Sequence, residues 1–133
     1  MTSGAITLAL DAMGGDSAPR MVVAGADRAL DDHPDVRYRI FGDRARLEPL
    51  MQGYPRLRAR AELRHTDEVV ADDAKPTAAL RQSRASSMRL AVDAVRQHEA
   101  DAAVSAGNTG ALMAMAKVLL RTLPGIDRPA IAS

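Results

Sequence analysis

The sequence contains no cysteine and no tryptophan, and aromatic residues make up only 2% of its 133 residues. The absence of cysteine excludes disulfide bonds, thiolate zinc sites and a cysteine nucleophile. No apolar run approaches the roughly 18 residues that a membrane-spanning helix requires. The formal net charge is +1, so no strong electrostatic attraction to nucleic acid is expected. What remains is a globular composition, 47% hydrophobic, whose core is built from aliphatic side chains.

Several familiar catalytic motifs are also missing from the sequence. No GxGxxG follows the first predicted strand and no GxxxxGK[ST] occurs, which disfavours a dinucleotide-binding dehydrogenase and a P-loop enzyme. No GxSxG elbow indicates a hydrolase triad. The 3 histidines show no metal-ligand spacing. The sequence therefore predicts neither a metal site nor a bound cofactor.

Alternating strand and helix patterns run along the chain. The predicted strands are Ala5–Leu10, the alternating segments Val36–Phe41 and Arg56–His65, and the small-residue run at 100–106. The predicted helices are one capped by Asp16 or Ser17, one at Arg44–Gln52, a helical turn at Thr77–Gln82, an amphipathic helix after Ser86–Ser87 and a buried helix at Ala111–Leu120. This order predicts an α/β fold with a mostly parallel sheet between two layers of helices.

The last residues, "PAIAS", begin an apolar element that resembles the start of another strand. Chain termini are usually polar and loosely packed. We therefore expect residues 1–133 to be the N-terminal part of a single, longer α/β domain.

The stretch "VSAGNTGALMA" contains the strongest candidate site, because Gly107 and Gly110 bracket Asn108 and Thr109 between a strand and a helix. Ligands of parallel α/β sheets gather where strands enter such loops. Glycine lets a ligand approach the backbone, and a helix N-terminus presents free N–H donors. The pattern predicts an oxyanion site, most simply for phosphate. The alternative is a tight turn with an asparagine cap and no ligand.

A second loop of this kind, "DAMGGDSAP", follows the first strand and is predicted to lie at the same edge of the sheet. Its carboxylates, Asp11 and Asp16, make it a poor phosphate cradle by itself because like charges repel. They are better suited to orienting hydrogen-bond donors or binding a hydroxyl group. The alternative is a simple glycine turn capped by Asp16.

Two further features have both a structural and a functional interpretation. Ser86 and Ser87 begin the amphipathic helix as ordinary caps, or they hold an anion together with Lys75 or Arg84. The arginine faces of the two alternating segments are solvated or paired with acidic residues, or they form a basic patch for an acidic partner.

Five blocks occur in this order along the chain: "DAMGGD", "KPTAAL", "SSM", "ADAAVSAGNTGALMA" and "LPGIDRPA". In these blocks and in their order, the chain resembles the PlsX-type phosphate acyltransferases of bacterial phospholipid synthesis. The resemblance spans nearly the whole chain and is weakest between Asp35 and Arg64. Members of that family are more than twice as long.

The resemblance implies a three-layer α/β/α fold, similar to phosphotransacetylases and isocitrate-dehydrogenase-like proteins. It implies transfer of a fatty acyl group from acyl carrier protein to inorganic phosphate, without a cofactor. It also implies a homodimer in the cytoplasm with peripheral membrane contact. Two alternatives remain open: a phosphotransacetylase-like enzyme that acts on acyl-CoA, and an inactive truncated product.

Because phosphate is the nucleophile of this reaction, the protein must hold phosphate and stabilise the developing oxyanion. We predict Asn108 and Thr109 as the catalytic contacts. The predicted phosphate or substrate contacts are Gly14, Gly15 and Asp16 on one wall, Ser105, Gly107 and Gly110 on the other, and Lys75, Ser86 and Ser87 beside them.

Overall fold

Four parallel strands and six helices alternate along residues 5–130, the part of the chain that this computed structural model describes. The strands are β1 (Thr7–Asp11), β2 (Arg37–Gly42), β3 (Ala61–His65) and β4 (Ala102–Val104). The helices are α1 (Arg20–Ala29), α2 (Arg44–Met51), α3 (Pro55–Arg60), α4 (Pro76–Gln82), α5 (Ser87–Arg96) and α6 (Thr109–Leu120). The predicted α/β class and the parallel sheet are confirmed.

The strand order is β3-β2-β1-β4, and every neighbouring pair is parallel. Leu10 of β1 is in register with Ile40 of β2 on one side and with Val104 of β4 on the other. Parallel pairing requires each connection to cross back over the sheet, and helices form these crossovers. The carboxyl ends of β1 and β4 therefore lie side by side, and the loops that follow both strands meet there.

One face of the sheet is covered by α1, α2 and α3. Leu10 and Ile40 point into this layer, where they pack with Val23, Leu47 and Leu57. Ile40, Leu47 and Leu57 are fully buried. Each buried side chain of this size contributes roughly 1.5–3 kcal/mol through removal of apolar surface from water.

The opposite face is covered by α5, α6 packs against α5, and α4 packs against α6. The alternate residues Ala9 and Phe41 point this way and contact Ala91 and Ala94 of α5. The small alanine side chains let α5 lie close to the strands. The three layers of the predicted α/β/α architecture are thus present around β1.

The prediction of a strand over Arg56–His65 is wrong in its first half. Residues 55–60 form α3, with Pro55 in its first turn, and β3 begins at Ala61. Helix α3 has 6 residues and buries only Leu57. A segment this short does not show whether its apolar residues repeat with the period of a helix or of a strand. Only residues 61–65 pair with β2.

Two further helix predictions need correction. Helix α1 has Pro19 at its N-cap and no side-chain cap from Asp16 or Ser17. Instead, the main-chain carbonyl of Ser17 accepts a hydrogen bond from Met21. The helix at Ala111–Leu120, which begins at Thr109, is not buried all round: its packing against α4 and α5 buries only one stripe, and Val118 is 59% exposed.

Strand β4 forms one edge of the described sheet, and Val104 on it is 51% exposed. An apolar groove of about 280 Å³ runs along this edge between β1, β4 and α1. Among residues 5–130, no helix combines the length and the hydropathy needed to cross a membrane. The predicted strand at "AIAS" lies, apart from Ala130, outside the described residues.

Tyr38 links β2 to α1, because its buried hydroxyl donates a 2.9 Å hydrogen bond to the carbonyl of Ala26. Burial, with a smaller contribution from Asp27, raises the pKa of Tyr38 above its ordinary value of 10.0. The stabilisation due to the neutral hydroxyl is therefore complete below pH 10.0 and is lost as the pH rises through the folded-state pKa.

We expect Tyr38→Phe to lower the free energy of unfolding at pH 7 by about 1 kcal/mol, the usual net value of one hydrogen bond. The variant should also lose less stability than the parent protein above pH 10.0. Urea unfolding at neutral and alkaline pH measures both effects. Tyr54→Phe is the control, since Tyr54 is only half-buried. An equal loss of stability at alkaline pH in Tyr38→Phe and in the parent protein would contradict the stabilising role of the Tyr38 hydroxyl.

Candidate functional site

The loops that follow β1 and β4 touch each other through two glycines. A Cβ atom built on Gly14 would lie 3.0 Å from both the Cα and the N of Gly107. A Cβ atom on Gly107 would lie 3.2 Å from the Cα of Gly14. The predicted meeting of these loops at one edge of the sheet is therefore found, and the contact is between bare backbones.

Asp11, the last residue of β1, lies beneath this contact and is 2% exposed. Its Oδ1 accepts hydrogen bonds from the N–H groups of Met13 (3.2 Å) and Gly14 (3.1 Å) and from the hydroxyl of Ser87 (2.5 Å). Its Oδ2 accepts a 2.7 Å hydrogen bond from the hydroxyl of Ser105. One carboxylate thus connects the loop after β1, the start of α5 and the loop after β4.

The Ser105 hydroxyl continues this network into the second loop, since its Oγ accepts a 3.1 Å hydrogen bond from the N–H of Gly107. The N–H of Gly107 is therefore satisfied within the protein. Gly15, on the other loop, has a φ of 109°, a conformation that glycine adopts without strain. Its Cα also faces the second loop, where a Cβ would meet Ala106 at 3.2 Å.

Asn108 uses both ends of its amide for structure. Its Oδ1 accepts a 3.1 Å hydrogen bond from the N–H of Ala111, so the predicted asparagine cap of α6 is confirmed. Its Nδ2 donates to the carbonyls of Ala71 (3.1 Å), Asp72 (3.2 Å) and Ala74 (2.8 Å). The side chain therefore joins α6 to the segment before α4, and its predicted catalytic contact stays a prediction.

The start of α6 nevertheless offers hydrogen-bond donors. Within residues 5–130, the backbone N–H groups of Asn108, Thr109 and Gly110 donate no hydrogen bond to the protein. Thr109 and Gly110 are exposed. Free N–H groups at the positive end of a helix dipole are chemically suited to an anion. Of the predicted backbone contacts at 107–110, those at 108–110 are available and that of Gly107 is not.

The family comparison can now be set beside this geometry. A family model described as "Fatty acid synthesis protein" matches residues 6–133. The chain belongs to this family.

Curated relatives of this chain are named "Phosphate acyltransferase". The one from Rhodospirillum centenum is 64% identical over 126 residues, which cover 95% of this chain and 36% of the relative. Those from Paramagnetospirillum magneticum and Parvibaculum lavamentivorans are 57% and 54% identical, over 98% and 100% of this chain and 37% of each relative. The chain thus spans a little over a third of the length of these relatives.

The other predicted site residues are either buried in the network around Asp11 and the cap of α5 or exposed at the surface. Ser86 is buried and caps α5 by accepting from the N–H of Arg89 at 3.2 Å, which confirms the capping interpretation. Ser87 is buried and donates to Asp11. Asp16 and Lys75 are exposed, the latter at the N-cap of α4. The roles of these four residues in substrate binding stay predictions.

Sequence reasoning placed the glycine loops correctly but did not include Asp11 among the site residues. The sequence signal was the position of Asp11, a carboxylate at the end of an otherwise apolar strand. The prediction that this carboxylate orients hydrogen-bond donors agrees with the four hydrogen bonds that it accepts. The contact between Asn108 and residues 71–74 had no local indication, because the partners are 34 to 37 positions apart.

The arginines of the alternating segments are largely engaged with the protein itself. Arg39 lies 3.2 Å from Glu62 and 3.7 Å from Glu99, and Arg64 contacts the same two carboxylates. The hydrogen bond from Arg64 lowers the pKa of Glu62. Arg56 pairs with acidic residues of α1 and the turn after it. The paired interpretation holds for these three arginines, and a basic patch for an acidic partner stays a prediction.

Proposed function

We propose that this chain forms the phosphate-binding edge of an enzyme that transfers a fatty acyl group from acyl carrier protein to inorganic phosphate. The product is an acyl phosphate for phospholipid synthesis. The observation that carries the proposal is the set of free N–H groups at residues 108–110, beside two touching glycine loops. Relatives named "Phosphate acyltransferase" support it.

The proposed reaction needs no nucleophilic side chain. A phosphate oxygen attacks the thioester carbonyl carbon, a C–O bond forms and the C–S bond breaks. The sulfur of the carrier leaves as a thiol after taking the proton that the hydrogen phosphate gives up. The protein must hold phosphate at the carbonyl and offset the charge that develops there. The N–H groups of Thr109 and Gly110 would hold phosphate oxygens, while the Asn108 cap keeps the first turn of α6 in place.

Further parts of the proposal concern partners and location. Acyl carrier protein is acidic, so exposed arginines would steer its approach more than they would add affinity. A homodimer, peripheral membrane contact and a cytoplasmic location, which the resemblance implies, stay predictions. No nucleic acid is expected as a partner.

Thr109 allows a clean test because it occupies the first position of α6, where proline is well tolerated. Thr109→Pro removes both the hydroxyl and the N–H, whereas Thr109→Ala removes only the hydroxyl. In acyl phosphate formation by the intact protein, we expect Thr109→Pro to raise the KM for phosphate about tenfold, the equivalent of one charge-assisted hydrogen bond. The difference between the variants isolates the N–H.

The same assay decides between the alternatives. Each variant and the parent are supplied with acyl-acyl-carrier-protein or acyl-CoA over a range of phosphate concentrations. Turnover with acyl-CoA alone would favour a phosphotransacetylase-like enzyme, and no phosphate-dependent turnover with either donor would show the proposal to be wrong. An unchanged KM for phosphate in Thr109→Pro would exclude this N–H as a ligand.

A further inference from the structure

We propose that Asp11 is a positioning residue that sets the distance between the two glycine loops, and thereby the affinity for phosphate. This inference rests on the proposed function. Asp11 lies below the loops and is 2% exposed, so it acts through the backbone it holds.

The spacing of the loops is limited from both directions. Closer approach is blocked because Gly14 and Gly107 already lie at backbone contact, with no room for a Cβ on Gly14 and little on Gly107. Separation is opposed by Asp11, whose Oδ1 holds the N–H of Gly14 and whose Oδ2 holds the Ser105 hydroxyl. Through Ser105 the restraint reaches the N–H of Gly107, one residue before Asn108. The free N–H groups of residues 108–110 directly follow Gly107, the last residue that these hydrogen bonds restrain.

This arrangement requires acceptors on both carboxylate oxygens. The four recorded partners, two N–H groups and two hydroxyls, all donate to Asp11. An asparagine has nearly the same shape but replaces one acceptor with an NH₂ donor. In Asp11→Asn that NH₂ would face a group that now donates, so at least one of the restraints is lost or rearranged.

The direction in which Asp11→Asn changes the affinity for phosphate distinguishes a positioning role of Asp11 from a direct electrostatic role. A buried negative charge near the N-terminus of α6 repels a bound phosphate. If charge alone mattered, Asp11→Asn would tighten phosphate binding. If Asp11 positions the loops, the same substitution weakens it.

The experiment compares Asp11→Asn with Asp32→Asn, a substitution of the same kind at an exposed residue in the turn after α1. In the intact protein, we expect Asp11→Asn to raise the KM for phosphate about tenfold, the equivalent of about 1.4 kcal/mol, and to change the KM for acyl-acyl-carrier-protein less than twofold. Amide hydrogen exchange should accelerate in segments 12–16 and 104–110 in this variant alone. A merely structural defect would affect both substrates and lower the thermal midpoint without this selectivity.

Ser105 supplies a second pair of variants should Asp11→Asn fail to fold. Ser105→Ala breaks the link from Asp11 to Gly107 and leaves the carboxylate in place, while Ser105→Thr keeps the hydroxyl. We expect a higher KM for phosphate in the first and near-parental values in the second. Where Asp11→Asn folds, combining it with Ser105→Ala should add little, because both act on one path.

An unchanged or lower KM for phosphate in Asp11→Asn or Ser105→Ala, with the protein folded, overturns the inference. An unchanged rate of amide hydrogen exchange in segment 104–110 of Asp11→Asn also overturns the inference. If the parent protein consumes no phosphate, the proposed function fails, and the exchange rates of Asp11→Asn still show whether Asp11 holds the two loops.

Discussion

Gly14→Ala is expected to lower kcat/KM for phosphate by at least about a hundredfold, a loss of about 3 kcal/mol in transition-state stabilisation. The added Cβ would lie 2.5 Å from Oδ2 of Asp11 and 3.0 Å from the backbone of Gly107. None of these neighbours is the free end of a flexible side chain. The two loops must therefore move apart, and the donors on the Gly107 side lose their position.

A matched control for this prediction is Gly25→Ala in α1, where a Cβ would meet nothing within 4 Å. Alanine in a helix interior is more favourable than glycine by up to about 1 kcal/mol, so this variant should be slightly more stable and equally active. Gly107→Ala provides an intermediate case, because one of its close neighbours is the flexible end of Met88, at 3.2 Å.

The measurements are steady-state kinetics with varied phosphate and urea unfolding of the same preparations. Gly14→Ala should show the largest kinetic loss, Gly107→Ala a smaller one and Gly25→Ala none. A Gly14→Ala protein whose kcat/KM for phosphate stays within about threefold of the parent, under 1 kcal/mol, would show that the loop spacing does not matter.

The second large effect is expected at Asn108. Asn108→Ala removes the cap of α6, which usually costs about 0.5–2 kcal/mol of stability, and also removes three bonds to the segment before α4. We expect phosphate-dependent turnover to fall about thirtyfold, equivalent to about 2 kcal/mol, because the first turn of α6 and its free N–H groups lose their support.

Two substitutions divide the roles of the Asn108 amide. Asn108→Ser and Asn108→Asp each keep a side-chain oxygen that can cap α6, but neither provides the Nδ2 donor to the carbonyls of Ala71, Asp72 and Ala74. We expect both to recover the part of the stability that the cap supplies. We expect them to recover little of the phosphate-dependent turnover, because the contacts of Nδ2 with residues 71–74 are still missing.

Urea unfolding, phosphate kinetics and hydrogen exchange over residues 70–75 measure these effects. Faster exchange there should accompany all three substitutions, because each loses the Nδ2 contacts. Full activity in Asn108→Ala would contradict both the supporting role derived from the structure and the predicted catalytic contact.

Much of the fold could be predicted because local patterns control it. The uncharged run in β1 and the alternation of Tyr38 and Ile40 in β2 place one apolar face toward α1, and the structure buries both of these residues. The pattern failed over residues 55–60, where Pro55 starts a helix too short to show its period. It also failed for α6, whose apolar composition does not tell which neighbours are present to cover it.

The sequence by itself determined the order of strands and helices apart from α3, the glycine loops after β1 and β4 and the caps at Ser86 and Asn108, because these depend on residues a few positions apart. Only the tertiary structure decided which donors are free. The strand order brings Asp11 next to Ser105, 94 positions later, and the folded connection brings Asn108 to Ala74. The long-range bonds use up the Asn108 Nδ2 and hold the Ser105 hydroxyl, whose Oγ accepts from the N–H of Gly107. The N–H groups of 108–110 stay open because a helix cannot satisfy its own first donors.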